Sequence, residues 1–403
     1  MKHIVFVIGH YKNGGVSMRA TNLANELGKR GYRVTILVTK EIGAEIFFDL
    51  HENVQLISLN EFCEKANDYP QVCLDREKRI RIRKYYKRLR YVSTICRNWD
   101  KELENRIRIS RISERMRVFM ILNPQAIYIP FGMSYLEETF CAAKGIGSKI
   151  IYAERNAPEH EIPKDKDRAD RILKILSQAD GAIFQTKDEA EFYKDIICHN
   201  VEVIHNPIKK DLPQPYVGER RKVIVNFCRV SPQKNLKLLI DAFAKLHEEY
   251  ADYSLIIYGN TVEKSEEVLR DELKEYVSNL ELEESIRILP PTADVHDRVN
   301  DCALFVSSSD FEGLSNSMIE AMAIGLPCVC TDCLGGGARE LIQNEENGLI
   351  IPIKDVEALY IGMKRMIENP DFAQSCGEKA AKIREEQSVE RIVDQWIEVI
   401  ESA

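Results

Sequence analysis

The 403-residue sequence has no stretch of about 18 consecutive apolar residues, the length that a membrane-spanning helix needs. Its first apolar run ends at Gly9, too early for the hydrophobic part of a secretory signal peptide, so we expect a cytoplasmic protein. Hydrophobic residues make up 44% and charged residues 30% of the chain, which is typical of a folded protein and excludes a disordered one. A folded chain of this length is expected to form two domains.

The cysteines show no sign of a disulfide framework or of a metal centre. They number 11, an odd count, and are scattered. Only Cys328, Cys330 and Cys333 cluster, and no second pair of Cys or His follows at the spacing of a zinc site. We interpret these three as small apolar residues at the end of a buried strand. Asp165 and Asp167 lie in a polar run that favours the start of a helix over a metal site.

Apolar segments that predict strands alternate with segments that predict helices. In the first half the predicted strands are residues 3–9, 34–38, 126–129, 149–153, 181–184 and 201–204. In the second half they are residues 223–227, 255–258, 286–289, 304–306 and 329–331, and the main helices are 236–249, 265–279 and 317–324. This order predicts an α/β fold with parallel sheets that are covered by helices on both faces.

The alternation is interrupted once, near the middle of the chain. Residues 207–221 contain three prolines, one glycine and six charged residues, so we place a domain boundary there. The prediction is therefore two doubly wound domains, 1–206 and 207–384, that face each other across a cleft. Ligands of such sheets bind beyond the carboxyl ends of the strands, so functional residues should directly follow strands.

The loop after the first strand of the second domain carries two cations, Arg229 and Lys234. Asn235 follows them at a position that suits the N-cap of the next helix. Two fixed cations beside a cleft suit a diphosphate. The alternative is that both are ordinary solvated surface cations.

A second group follows the strand at 304–306. Glu312 lies on the loop, and Gly313 allows the backbone to approach a ligand closely. The next helix is predicted to start near Ser315 or Asn316, so its free N–H groups favour an anion in the same space. Glu320 lies one turn inside this helix and can accept hydrogen bonds from vicinal hydroxyls. As an alternative, Ser317 and Glu320 have the spacing of a capping box.

Together these segments resemble the retaining glycosyltransferases of family 4, which have the GT-B fold of two Rossmann-like domains. The family pattern of two acids separated by seven residues matches Glu312 and Glu320, and its diphosphate-binding Arg and Lys match Arg229 and Lys234. The glycines at 335–337 followed by Glu340 resemble a further family motif. The resemblance covers nearly the whole chain and is most specific over residues 226–352.

The resemblance implies a metal-independent hexosyltransferase that uses a nucleotide-diphosphate sugar, UDP-linked by our prediction, and needs no cofactor. Glu312 would contact the donor sugar, Glu320 the ribose, and Arg229 with Lys234 the diphosphate. The implied donor site comprises Gly15, Arg229, Lys234, Pro290, Glu312, Gly313, Leu314, Ser315, Asn316 and Glu320. The anomeric configuration would be retained by same-face substitution, in which the leaving phosphate helps to deprotonate the acceptor.

The first domain departs from the family pattern where many members carry a catalytically important His. Here Glu154, Arg155 and Asn156 follow the strand at 149–153. We hypothesise that Glu154 or Arg155 binds the acceptor or stabilises the oxocarbenium-like state. Asn156, Gly14 and Gly15 are further predicted acceptor contacts, although the glycine pair alone is equally typical of a tight turn.

Residues 76–117 contain 16 Lys and Arg but only 5 Asp and Glu, a local net charge of +11 in a chain of net charge −8. We predict a basic helical insertion over about 75–118, with Arg79, Arg83, Lys84 and Lys87 facing an anionic membrane or a lipid-linked acceptor. A solvated helix face is the alternative. The acidic remainder of the chain argues against nucleic acid.

The predicted function is transfer of a sugar to a lipid-linked or polysaccharide acceptor at the inner face of the cell membrane, in the synthesis of surface polysaccharide. Two other classes remain open, a nucleotide-sugar epimerase of GT-B shape and a non-catalytic nucleotide-sugar binder. Residues 385–403 include an amphipathic stretch with Ile392, Val393 and Trp396. By the family resemblance, this segment would be a helix that crosses back onto the first domain.

Overall fold

The computed structural model describes residues 1–12, 15–43, 49–66 and 100–403. The strands are β1 (His3–Tyr11), β2 (Arg33–Ile42), β3 (Val54–Ser58), β4 (Ile127–Pro130), β5 (Lys149–Ala153), β6 (Gly181–Phe184), β7 (Val201–Val203), β8 (Arg221–Arg229), β9 (Ser254–Asn260), β10 (Ile286–Leu289), β11 (Cys302–Ser307), β12 (Cys328–Thr331) and β13 (Leu349–Ile351). The helices are α1 (Gly15–Lys29), α2 (Leu59–Lys65), α3 (Asp100–Leu122), α4 (Leu136–Ala143), α5 (Pro158–Glu161), α6 (Lys166–Leu176), α7 (Lys187–Phe192), α8 (Leu236–Glu249), α9 (Lys264–Asn279), α10 (Val295–Val299), α11 (Asn316–Ala323), α12 (Gly337–Leu341), α13 (Val356–Glu368), α14 (Pro370–Ala380), α15 (Ile383–Glu386) and α16 (Val389–Ser402).

The strands form two parallel sheets, one in each half of the chain. The first has the order β3-β2-β1-β4-β5-β6-β7 and the second the order β10-β9-β8-β11-β12-β13. In each sheet the strand order reverses beside the first strand, between β1 and β4 and between β8 and β11. These switch points are where doubly wound sheets bind ligands. The predicted α/β fold with two Rossmann-like domains is confirmed.

The predicted strands are present, with ends that differ by a few residues. The edge strand Val54–Ser58 was not predicted; it is only five residues long and alternates imperfectly between buried and exposed positions. Cys328 and Cys330 lie in a fully buried strand and Cys333 is buried just beyond it, in agreement with their interpretation as strand residues. Asp165 is the N-cap of the helix Lys166–Leu176 and accepts a hydrogen bond from the Arg168 backbone N–H.

The predicted basic insertion is only partly described, because Arg79, Arg83, Lys84 and Lys87 lie outside the described residues. Its last part belongs to α3, which packs on the first sheet through Met116, Phe119 and Met120. The cations of this helix bond within the domain. Arg108 pairs with the buried Glu138 at 2.7 Å, and Arg117 donates to two backbone carbonyls. The described part of α3 is therefore packed on the first domain, and the bounds of the insertion, about 75–118, stay a prediction.

The last helix, Val389–Ser402, packs on the first domain although it follows the second in sequence. Trp396 is buried in the core of the first sheet, with its ring edge-on to Phe6 at 5.9 Å and near Phe131 at 6.1 Å. Arg30 and Tyr32 also bond to acids of this helix. The chain thus ties its second domain back to its first. Among the helices that the structure describes, none combines the length and the apolarity that crossing a bilayer requires.

This packing predicts a large effect of truncating Trp396. We expect Trp396→Ala to lower the free energy of unfolding by about 3–5 kcal/mol, because it removes a large buried ring and leaves a cavity. Urea denaturation followed by circular dichroism measures the change. Glu398→Ala, at an exposed position of the same helix, is the matched control. Equal stability of the two variants would show that the helix does not contribute to the first core as described.

Candidate functional site

The predicted donor residues come together because the loops after β8, β11 and β12 lie at one edge of the second sheet. Hydrogen bonds join the first two of these loops. Ser308 Oγ donates to the Lys234 carbonyl at 2.9 Å, and Asn235 Nδ2 donates to Asp310 at 2.9 Å. Asn235 has φ of 43° and caps the helix Leu236–Glu249, as its sequence position predicted.

At the centre of this edge, Lys234 forms an ion pair with Glu312. The two side chains are only 14% and 12% exposed. Ser309 Oγ donates a second hydrogen bond to Glu312 Oε1 at 3.1 Å. Burial acts to lower the pKa of Lys234, but the Glu312 carboxylate outweighs it and holds the pKa above its ordinary value. Lys234 is therefore a permanent cation, which excludes the interpretation of it as a solvated surface residue.

Arg229 ends β8 and differs from Lys234 in its exposure. Its side chain is half exposed, and its Nε lies 3.3 Å from Glu266 Oε1 on the helix Lys264–Asn279. Glu266 is itself fixed, because it accepts hydrogen bonds from the backbone of Val262 and Glu263. Arg229 thus keeps free donors toward solvent while one side of its guanidinium is held in place.

Glu320 lies inside α11 and bonds to His296 of the neighbouring helix, with Nε2 and Oε2 2.9 Å apart. Its side chain is 13% exposed. The helix begins at Asn316 after the N-cap Ser315, so Ser317 is already inside it and cannot be its cap. The capping-box alternative was therefore wrong, and Glu320 remains available to a ligand.

The loop between the two carboxylates approaches the first domain. A side chain at Gly313 would meet Gln185 Oε1 at 2.6 Å and Glu189 Oε1 at 2.8 Å. The Leu314 N–H donates to Gln185 Oε1 at 3.2 Å, so one of the predicted ligand-binding amides is already in use. Gly335 has φ of +90°, and a side chain there would collide with the Glu312 carbonyl. Pro290, predicted to lie near the base, is exposed just after β10.

The first domain meets this loop with the N-terminal end of α1. A side chain at Gly15 would lie 2.9 Å from Asn316 Nδ2, so the two helix ends lie close together. Asn316 Oδ1 also accepts from Asn206 Nδ2 at 3.3 Å. Gly14 lies outside the described residues.

Glu154 does not face the cleft. It is fully buried after β5, and its two oxygens accept hydrogen bonds from Tyr152, Tyr193 and the backbone of Arg155 and Asn156. Burial raises the pKa of Glu154 to about 7, and Glu161 acts in the same direction. The prediction that Glu154 itself contacts the acceptor does not fit this geometry. Its contacts make it a residue that positions the 154–156 turn.

Arg155 and Asn156 differ from Glu154 in their contacts. The Arg155 guanidinium lies over the Phe131 ring at 4.2 Å, and its Nε and Nη2 are buried with no hydrogen-bond partner in the part of the chain that the structure describes. Burial, and then the charge of Arg19, lower the pKa of Arg155 to about 9. Asn156 Oδ1 accepts a long hydrogen bond, 3.5 Å, from Gln233 beside Lys234.

Direct hydrogen bonds hold the two domains together below this site. Thr186 Oγ1 donates to the Gly335 carbonyl at 2.7 Å, and the Lys187 N–H donates to Glu340 at 3.0 Å. Asn206 Nδ2 donates to the Leu314 carbonyl at 3.1 Å. The cavity beside Glu312 has a volume of only about 10 Å³, room for one water molecule. The two domains are therefore in direct contact beside Glu312, and we call this the closed arrangement.

Sequence reasoning missed four residues of this site: Arg19, Gln185, Asn206 and His296. No motif marks Gln185, Asn206 or His296, since their roles depend on contacts with residues 24 to 129 positions away. Arg19 had a usable signal, because it lies one helical turn beyond Gly15 at a predicted strand-to-helix junction.

Comparisons with known proteins show which proteins this chain resembles. The family model "Glycosyl transferases group 1" matches residues 208–383. An uncharacterized glycosyltransferase of Haemophilus influenzae is 23% identical over 399 residues, 98% of this chain and 99% of the relative. N-acetylgalactosamine-N,N'-diacetylbacillosaminyl-diphospho-undecaprenol 4-alpha-N-acetylgalactosaminyltransferase of Campylobacter jejuni is 35% identical over 184 residues, but these span only 46% of this chain and 47% of the relative.

A solved structure extends the likeness of fold to both domains. The Anabaena protein Alr3699/HepE in complex with UDP-glucose superposes with a TM-score of 0.72 over the full length of both chains, at 17% identity. At that identity the likeness shows the fold alone. Residues 208–383, which make up most of the second domain, resemble the glycosyl transferases group 1, and over its whole length the chain has the GT-B fold.

Proposed function

We propose that this protein is a retaining glycosyltransferase that moves a hexose from a UDP-sugar to a lipid-linked or polysaccharide acceptor in the synthesis of a bacterial surface glycan. The observation that carries the proposal is the buried pair of Lys234 and Glu312, with Arg229 at the end of β8 and Glu320 in the helix that follows β11, on the same side of the second sheet. The named transferase of Campylobacter jejuni and the UDP-glucose complex of the Anabaena protein support the classes of acceptor and donor.

In the donor complex, Lys234 and Arg229 would neutralise the diphosphate, and the amides at the start of α11 would approach it from the other side. Glu312 would accept hydrogen bonds from sugar hydroxyls and Glu320 from the ribose. Lys234 and Glu312 pair with each other in the closed arrangement. A donor that binds here therefore shares this ion pair or replaces it. The diphosphate would then bond to Lys234, and the sugar hydroxyls would bond to Glu312.

The reaction requires no group from the protein to bond to the sugar. The bond from C1 to the β-phosphate oxygen breaks and its electron pair stays on the phosphate. The acceptor hydroxyl oxygen bonds to C1 from the same face, and its proton passes to that departing phosphate oxygen. The products are the glycosylated acceptor and the nucleoside diphosphate, with the anomeric configuration retained. Lys234 and Arg229 stabilise the charge that grows on the leaving group.

Arg155 would act from the opposite wall. Its free Nε and Nη2 are oriented by the Phe131 ring and by the turn that Glu154 fixes. Because its guanidinium is a cation, it suits an anionic acceptor group or the departing phosphate better than the oxocarbenium-like sugar itself. Of the two residues in the sequence-based hypothesis, Arg155 would touch the substrate and Glu154 would position Arg155.

A transfer assay tests the proposed function. Wild-type protein is incubated with a UDP-sugar panel and an undecaprenyl-diphosphate-linked saccharide, and products are identified by mass spectrometry and by the anomeric proton in NMR spectra. We expect one UDP-sugar to give an elongated saccharide of retained configuration.

Glu320→Gln should raise KM for that donor about 10-fold or more, since it weakens a charge-assisted hydrogen bond. Glu346→Gln, at an exposed position of the same domain, is the matched control.

Two outcomes of the assay contradict the proposal. Conversion of the donor to its epimer without acceptor would identify a nucleotide-sugar epimerase. Inverted configuration in the elongated product would exclude the retaining mechanism.

The positioning role of Glu154 predicts a specific pH dependence of stability. Its pKa is raised on folding, so the folded state holds the proton more tightly and the wild type loses stability as pH rises from about 4.5 to about 7. In Glu154→Gln, the free energy of unfolding should not show this decrease, which is up to about 3 kcal/mol in the wild type, when urea denaturation at pH 5 and pH 8 is compared.

In the transfer assay Arg155→Ala should lose turnover by about 10-fold or more. Wild-type turnover in both variants would refute any role of this turn in catalysis.

We further propose that the protein works at the cytoplasmic membrane surface. The proposal rests on the sequence of the basic segment 76–90, whose residues lie outside the described part of the chain. Vesicles with anionic lipid should retain the protein in flotation, more strongly at low salt, and neutral vesicles should not.

The matched variants for flotation carry equal losses of charge. One replaces Arg79, Arg83, Lys84 and Lys87 by Gln, and the other replaces the exposed Lys264, Lys274, Lys354 and Lys382 of the second domain. Only the first should lose retention. Equal failure of the wild type to bind anionic and neutral vesicles would refute membrane association.

A further inference from the structure

Arg19 is a partly buried cation beside the cleft, and one of its donors has no partner among the described residues. It lies in the second turn of α1 and its Nε donates to the Gly15 carbonyl at 3.2 Å, which holds the guanidinium at the N-terminal end of the helix. Its Nη1 is buried and has no hydrogen-bond partner among the described residues. A buried guanidinium nitrogen without a partner is costly, so such a group usually marks the place of a ligand or an ordered water.

The surroundings of Arg19 define which ligand fits. Gly15, to which Arg19 bonds, lies against Asn316 at the start of α11. Burial lowers the pKa of Arg19 to about 10, while Glu312, Glu320 and Glu189 act in the opposite direction, so all three carboxylates are near it. Glu312 and Glu320 are both already bonded, to Lys234 and to His296. Arg19 is therefore close to both carboxylates without being needed as the counter-ion of either.

In the proposed donor complex, Glu312 contacts the sugar and Glu320 the ribose. The group that joins a sugar to a ribose in a nucleotide sugar is the diphosphate. A cation near both carboxylates therefore lies beside the diphosphate, opposite Lys234 and Arg229. Its fork of planar donors matches phosphate oxygens.

We propose that Arg19 is a third diphosphate-binding residue, supplied by the first domain. The inference rests on the proposed function, because it takes the donor to be a nucleoside diphosphate sugar. The diphosphate then bridges the two domains, with Lys234 and Arg229 on one side and Arg19 on the other. Donor binding and closure of the cleft become one event, since Arg19 can reach the phosphates only when Gly15 is near Asn316.

The competing explanation is that Arg19 only balances the charge of the buried Glu189. Burial raises the pKa of Glu189 well above its ordinary value, with Glu154 acting in the same direction, and no ion pair joins Glu189 to Arg19. Glu189 Oε2 instead accepts a hydrogen bond from the Gln185 backbone N–H at 2.6 Å, so the geometry gives Glu189 a partner other than Arg19. In the charge-balancing case, replacing Arg19 changes stability but does not discriminate between ligands.

Calorimetric titration with UDP, UMP, GDP and GMP separates these explanations. In Arg19→Gln and Arg19→Lys we expect the affinity for the diphosphate that the wild type binds to fall, by about 10- to 100-fold in the Gln variant and less in the Lys variant. The affinity for the matching monophosphate should change less than about 3-fold. Lys29→Gln removes a positive charge at the other end of the same helix and should leave both affinities unchanged. Thermal unfolding without ligand checks that each variant is folded.

The outcomes distinguish this inference from the proposed function. Unchanged diphosphate affinity, or an equal loss for diphosphate and monophosphate, in folded Arg19 variants overturns the role of Arg19 and leaves the donor site standing. If the wild type binds neither UDP nor GDP, the donor site itself is refuted, and the role of Arg19 with it. If neither Arg19 variant folds, Arg19 is a structural residue and the inference is wrong.

Discussion

The buried ion pair between Lys234 and Glu312 is the interaction on which the rest of the cleft depends. Both charges are largely removed from water, and each is tolerated only because the other is present. The pair also joins the loop after β8 to the loop after β11, and Ser309 and Asn235 strengthen that link. This link fixes the position of the backbone after Glu312 relative to the second sheet. Gly313, Leu314 and the start of α11 take their positions from it.

The same loop forms the contact with the first domain, so a donor that binds this loop, as we propose, would also act on the contact between the domains. Gln185 accepts from Leu314, Asn206 donates to the Leu314 carbonyl, and Thr186 donates to Gly335. These are neutral hydrogen bonds, each worth about 1 kcal/mol net. A diphosphate offers the same loop charge-assisted bonds that are roughly twice as strong. Charged contacts join the same two domains as well, such as the pair of Arg339 and Asp188 at 2.8 Å.

The sequence predicted the fold well because both signals that define it are local. Apolar runs such as residues 149–153 predict strands, and the glycine at the end of α1 predicts where a helix ends. Neither prediction depends on contacts between residues that are distant in the sequence. It also predicted Arg229, Lys234, Glu312 and Glu320, since a motif fixes their spacing around single strand ends. Asn235 was correctly predicted as a cap because capping depends only on the next three residues.

The remainder of the site could not be predicted, because it depends on which loops meet. His296 was unexpected beside Glu320, and Gln185 beside Leu314, since the contacts cross 24 and 129 positions of sequence. Glu154 was misplaced for a related reason. Its position after a strand suggested a cleft residue, whereas Tyr152 and Tyr193 draw its carboxylate into the core. The edge strand Val54–Ser58 was missed because its pattern is too short to stand out.

The central claim is that the cleft binds a nucleotide-diphosphate sugar between Glu312 and Glu320. Thermal unfolding of the wild type with a panel of nucleotide sugars tests it most directly, because a ligand at about 100 times its dissociation constant adds about 2.7 kcal/mol to the stability of the folded state. We predict that one nucleotide sugar, and its nucleoside diphosphate, raise the Tm, and that the free hexose does not. If no nucleotide sugar of the panel raises the Tm at concentrations up to about 10 mM, which would saturate even a weak donor site, the account is contradicted.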